Sequence, residues 1–96
     1  MKTLFVIYHE DLESQVRGIV HRGMVVARYT RIDDVVGARM VQIEEETGYM
    51  TDRRNRIIVV VAEEALIGNL VSELQALRRK EGHGLRGFVV EATAVF

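Results

Sequence analysis

Arg56-Ile57-Ile58-Val59-Val60-Val61-Ala62-Glu63-Glu64 is the stretch on which the fold turns. Residues 57–61 are all β-branched, stiff at χ1 and suited to a pleated surface. The run is too short for a buried helix, so it predicts a strand. The two glutamates that follow suit a helix N-terminus, where the backbone dipole favours negative charge. Leu66, Ile67, Leu70, Val71, Leu74 and Leu77 then recur at helical spacing and form one apolar stripe. Arg78-Arg79-Lys80 places positive charge at the far end, and Gly82 is a suitable stop.

Toward the N-terminus, Leu4 to Tyr8 reads as a strand rich in β-branched and aromatic residues. Asp11 is placed to cap a helix whose apolar face is Leu12, Val16, Ile19 and Val20, with Gly23 as its end. Val25 to about Ile32 returns to an extended pattern, with Val25, Ala27 and Tyr29 on one face. Residues 33–55 lack a sustained period and read as a long, mostly polar loop, part of which is open to an extended hairpin. Beyond Gly82 comes a turn, Gly82-His83-Gly84, and a last strand from Phe88 to Phe96. The order is βαββαβ in one domain spanning 1–96. The fold class is α+β, ferredoxin-like: a four-stranded antiparallel sheet with two helices on one face.

Two helices leave the second face of such a sheet bare. Yet Phe5-Val6-Ile7, Ile57 to Val61 and Phe88-Val89-Val90 are apolar on both faces, whereas a half-solvated sheet should alternate. The second face is therefore expected to be covered by another copy of the chain.

Composition narrows the function classes. The chain has 96 residues and a formal net charge of −1, without the basic excess of a nucleic-acid binder. It contains no cysteine, which removes disulfides and thiolate chemistry. Lys2 and a short apolar run followed at once by Glu10 and Asp11 do not make a signal peptide. No stretch has the length of a membrane span, and a cytoplasmic location is expected.

Chemistry is concentrated in two places. The segment 33–55 carries Glu44, Glu45, Tyr49 and Arg53 and is the expected partner-binding element. Gly82-His83-Gly84-Leu85-Arg86-Gly87 lets backbone N–H groups approach an anion and supplies an arginine for phosphate, although the preceding helix C-terminus opposes negative charge. The same glycines serve equally to cap a helix and make a turn. His9, His21 and His83 show no metal-ligand spacing. Arg86-Gly87-Phe88 resembles the start of an RNA-recognition signature, but valines follow where stacking rings are needed. No nucleophile–base pair is defined. The junction Tyr8-His9-Glu10-Asp11-Leu12 is acidic where acylphosphatases hold phosphate, so an enzyme is not expected.

The layout resembles the PII family of trimeric signal-transduction proteins over nearly the whole chain. Tyr29 to Arg39 lies where that family's T-loop begins, and Gly82-His83-Gly84-Leu85-Arg86 lies where it has its glycine-rich B-loop. The resemblance implies a homotrimer that binds ATP, ADP or AMP in clefts between subunits and regulates a membrane transporter or enzyme through the loop. It assigns nucleotide contacts to Gly37, Arg39, Gly82, His83, Gly84 and Arg86. His83 stands where the family has an acidic residue, and Arg86 lies one position after the B-loop lysine. The family's arginine-bearing C-terminal segment and modified-tyrosine motif have no recognisable counterpart. Two relatives of the same architecture remain alternatives: metal-linked trimers of the CutA type, and amino-acid-binding ACT modules, whose hairpins between strands two and three are shorter.

Overall fold

In the computed structural model, backbone is described for residues 1–23, 28–43 and 46–96, and side chains for the same residues other than 38–53. Strand β1, Lys2–His9, alternates its side chains between two environments. Leu4, Val6 and Tyr8 are buried against the helices, and Phe5 and Ile7 point to the opposite face. A short 3-10 turn over Glu10–Leu12 leads into α1, Glu13–Gly23. β2, Tyr29–Ile43, and β3, Glu46–Ala62, form a long antiparallel hairpin. Helix α2, Glu64–Glu81, and strand β4, Leu85–Glu91, complete the βαββαβ order.

The sheet order is β2-β3-β1-β4, with β1 antiparallel to both neighbours. This is the α+β, ferredoxin-like arrangement expected from the sequence. The core lies between one sheet face and the two helices. Val16, Ile19 and Val20 of α1 and Ile67, Leu70, Leu74 and Leu77 of α2 meet Leu4, Val6, Ile58 and Val60 there. The helices approach closely because position 23 has no side chain. A Cβ at Gly23 would fall 2.8 Å from Leu70 Cδ2.

The opposite face is as apolar as expected. The register aligns Phe5 with Val59 and Phe88, Thr3 with Val61 and Val90, and Ile7 with Ile57. Phe88 is 51% exposed and Val90 47%, large apolar groups that a solvated sheet face would not carry together.

Three boundaries differ from the sequence reading. Asp11 does not cap the first helix: its N–H donates to the His9 imidazole Nδ1 at 3.1 Å, so His9 caps the 3-10 turn. Within 33–55, residues pair as strands, from Val35 opposite Asn55 to Val41 opposite Tyr49, rather than forming an irregular loop. β3 residues before Asn55 pair with β2 alone, and a two-stranded ribbon needs no buried face to hold its backbone ladder. Periodicity therefore cannot reveal it. β4 begins at Leu85 and ends at Glu91, because its start is fixed by pairing with Tyr8 and its end by pairing with Lys2. The expected start of the second strand at Val25 lies outside the described residues.

Leu70 is fully buried at the helix–sheet contact. Leu70→Ala is expected to lower stability by about 2–5 kcal/mol, read as a lower urea midpoint with unchanged slope. An unchanged midpoint would show that this contact is not part of the core.

Candidate functional site

Because β1 and β4 are antiparallel neighbours, the C-terminal end of β1 lies beside the N-terminal end of β4. The His9 N–H donates to the Gly84 carbonyl at 2.8 Å and ties the two ends together. Gly84 has φ +77° and Gly82 φ +80°, left-handed values that favour glycine. The Gly82 N–H donates to the Arg78 carbonyl at 2.8 Å, so this residue closes α2 and its N–H is already engaged.

A recess of about 390 Å³ opens at this end of the sheet. Gly37 and Asn55 of the hairpin, His9 of β1, Arg78 of α2, and His83, Gly84 and Arg86 around the glycine turn all line it. Two arginines and two histidines face it, and among the described residues none that lines it is acidic. The arginines offset the negative end of α2. Such a recess suits an anion, with guanidinium groups as charge-assisted donors.

Of the six residues assigned to nucleotide contact, Gly37, His83, Gly84 and Arg86 converge on this recess. Gly82 is not among its lining residues and caps α2 instead. Arg39 sits in β2 opposite Thr51, with its side chain outside the described residues. Of the partner-loop residues, Glu44 and Glu45 lie outside the described residues; Tyr49 and Arg53 occupy β3, with side chains outside them. His9, Asn55 and Arg78 were missed by sequence reasoning. The antiparallel pairing of β1 with β4 was the available signal for His9; nothing local marked Asn55 or Arg78.

A second cluster fixes the base of the hairpin, also unforeseen. Tyr8, Arg31 and Arg56 share the helix-facing side of the sheet by register. The buried Tyr8 hydroxyl donates to Glu13 at 2.7 Å. The same carboxylate takes Arg31 at 2.9 Å, Arg17 at 3.1 Å and Arg56 at 3.2 Å. Asp33 pairs with Arg31 at 2.9 Å and with Arg56 at 3.5 Å, closing a ring across α1, β2 and β3. Beside it the β2–β3 register shifts between Ile32 and Val35, and Asp34 has φ +58°. Burial pushes the Glu13 carboxyl up, but hydrogen bonds from Tyr8, Arg17 and Arg56 outweigh it, and the group lies below its ordinary value. Burial, then the bond to Glu13, raises the Tyr8 phenol.

A depressed carboxylate contributes stability above its unfolded value, near 4.5, and loses it as pH falls through the lower folded value. Glu13→Gln is expected to cost about 1–3 kcal/mol at pH 7 and to flatten the acid limb of a stability–pH profile. Equal acid limbs for both proteins in thermal melts from neutral to acid pH would contradict the network.

No family model and no curated protein matches the chain at the level of sequence. Solved structures do match. The nitrogen regulatory PII-like protein CPII from Thiomonas intermedia K12, bound to ADP, AMP and bicarbonate, superposes with TM-score 0.68 at 20% identity, over 93% of this chain and 86% of that one. The Bacillus subtilis GlnK–ATP complex gives TM-score 0.73 at 11% identity, over 96% of this chain and 82% of that one. The divalent ion tolerance protein CutA1 from Ehrlichia chaffeensis gives 0.68 at 10%, over 99% and 83%. At these identities the likeness is one of fold: the chain has the fold of the PII-like proteins, in divergent form, and the resemblance read from its residues holds at that level.

Proposed function

We propose that the chain is a PII-like regulatory protein that binds a small anion, in the first place an adenine nucleotide, and signals through its hairpin. One observation carries this reading: four of the residues that the resemblance assigns to nucleotide contact line a single recess with Arg78, without a carboxylate among the described lining residues. Structural neighbours described as bound to ADP and AMP or to ATP support the ligand class.

Arg86 and Arg78 pair with phosphate, and His83 and Gly84 offer the turn against which it rests. Gly37 and Asn55 bring the hairpin to the same recess, so a ligand there has direct purchase on the hairpin. A ligand shifts a conformational equilibrium only by its differential affinity for the two states. Contacts from both the turn and the hairpin supply such a difference. The hairpin then presents Glu44, Glu45, Tyr49 and Arg53 to a transporter or enzyme in the cytoplasm. No catalytic step is assigned to the chain.

The bare sheet face supports a homo-oligomer, a trimer in this reading, in which Phe5, Val59 and Phe88 are covered by neighbouring copies. The metal-linked alternative has less support: among the described residues no group of three potential ligands is close enough to hold a metal ion.

Arg86→Ala is expected to weaken nucleotide binding by about 1.5–3 kcal/mol, the loss of a charged hydrogen bond, in calorimetric titrations with ATP, ADP and AMP, with and without magnesium. Its mass by light scattering should be unchanged; loss of assembly would make Arg86 an interface residue. Phe88→Glu should do the reverse, lowering the mass to that of the 10.9 kDa chain. An oligomer that survives Phe88→Glu would contradict the packing of this face.

A further inference from the structure

A second cavity, of about 170 Å³, lies on the helix side of β4, between that strand and α2. Its walls are Leu4, Val6, Val71, Leu74 and Val89, with Gln75, Arg78 and Arg86 as its polar members. The register explains the space. Gly87 stands opposite Val6, in the row of Leu85 and Val89 that faces the helices, and contributes no side chain to it. Crowding does not impose the glycine. A Cβ there would lie 3.5 Å from the Phe5 carbonyl oxygen and 3.9 Å from Leu4 Cδ1, ordinary contacts. Its backbone is not left-handed either. Gly87 leaves open what an alanine or valine would begin to fill.

The cavity is continuous in its lining with the anion recess. Arg78, Leu85 and Arg86 belong to both. Among the described residues, neither set of lining residues contains a carboxylate. One compartment is therefore polar and cationic, and the other apolar, with two arginines shared between them. A dry apolar cavity of about 150 Å³ holds a benzene-sized group, and this partly open cleft matches it in volume.

From these observations we infer that the cavity behind β4 is a subsite for the apolar part of the ligand, and that the ligand class is an organic anion with a ring-sized apolar group. The anionic end lies in the recess at His83, Gly84 and Arg86. The apolar group passes Arg78 and lies over Gly87 between Val71, Leu74 and Val89. Arg78 of α2 serves both compartments, its guanidinium holding the charge and its aliphatic stem bordering the apolar wall, while Arg86, opposite Ile7 on the other sheet face, serves the anion recess. The anionic half of this assignment rests on the proposed function; the apolar half rests on Gly87 and the cavity walls.

The test uses the full chain, methyl- and amide-labelled for NMR, with phenylphosphate and inorganic phosphate as probes. Phenylphosphate is expected to shift the amides of 83–86 together with the methyls of Val71, Leu74 and Val89. Inorganic phosphate is expected to shift the amides alone. Gly87→Leu should remove the methyl shifts and weaken phenylphosphate about tenfold, the order expected for leaving a ring-sized apolar surface in water, while inorganic phosphate binds as before. Gly87→Ala, a smaller intrusion, should give an intermediate loss and guards against misfolding of the leucine variant. Phenylphosphate that binds no tighter than phosphate, or leaves the three methyls unmoved, overturns the apolar subsite and leaves the anion recess standing. Silence of the 83–86 amides toward both probes overturns the anion recess as well.

Discussion

The whole arrangement depends on a central strand, β1, that is apolar on both sides. Leu4, Val6 and Tyr8 face the helices and anchor the core. Phe5 and Ile7 face the other way, where none of the described helices covers them. A single domain of this size has little surplus burial. Exposing a second apolar face costs solubility and forgoes stabilisation of about 25 cal/mol for each Å² covered. Covering that face with a second copy, as proposed above, relieves both.

The same strand positions the recess. Its last residues deliver Tyr8 and His9 to the point where β4 starts, and the His9–Gly84 backbone bond joins them. Tyr8 also lines the recess, while its hydroxyl reaches Glu13 and, through it, Arg31 and Arg56 at the hairpin base. The hairpin is thus held on the helix side by an ion-pair ring and in the sheet by the pairing of Asn55 with His9, and it reaches the recess at Gly37 and Asn55. The irregular pairing at Asp33 and Asp34 lies at this base. A bulge there bends the strand locally and increases its twist, which sets the direction in which the ribbon leaves the sheet.

Much of the fold was legible because its signals were local. The Ile57–Val61 run, the stripe Leu66 to Leu77 and the glycine stops at Gly23 and Gly82 each carry their meaning within a few residues. The ribbon was not legible, since residues 33–55 carry no period of two in hydrophobicity and a backbone ladder does not require one. Nor was the cap at His9, where an imidazole nitrogen accepts the bond that Asp11 was expected to make. The site divides in the same way. Gly84 and Arg86 stand out in a glycine-rich turn, whereas Arg78 reads only as a charge at a helix end. Asn55 and Gly37 reach the recess through register, which the sequence of either strand does not specify alone. The Glu13 ring joins α1, β2 and β3, and no spacing within the chain announces it.

The central claim is that a ligand at the glycine turn acts on the hairpin. Hydrogen exchange of the full chain, followed by mass spectrometry with and without saturating ATP, tests it most directly. Slower exchange is expected at 83–86 and, in the same sample, altered exchange in β2 and β3 from the Arg31–Arg56 base outward. Protection confined to 83–86, with the hairpin unchanged, would leave a binding site without a signal and contradict it.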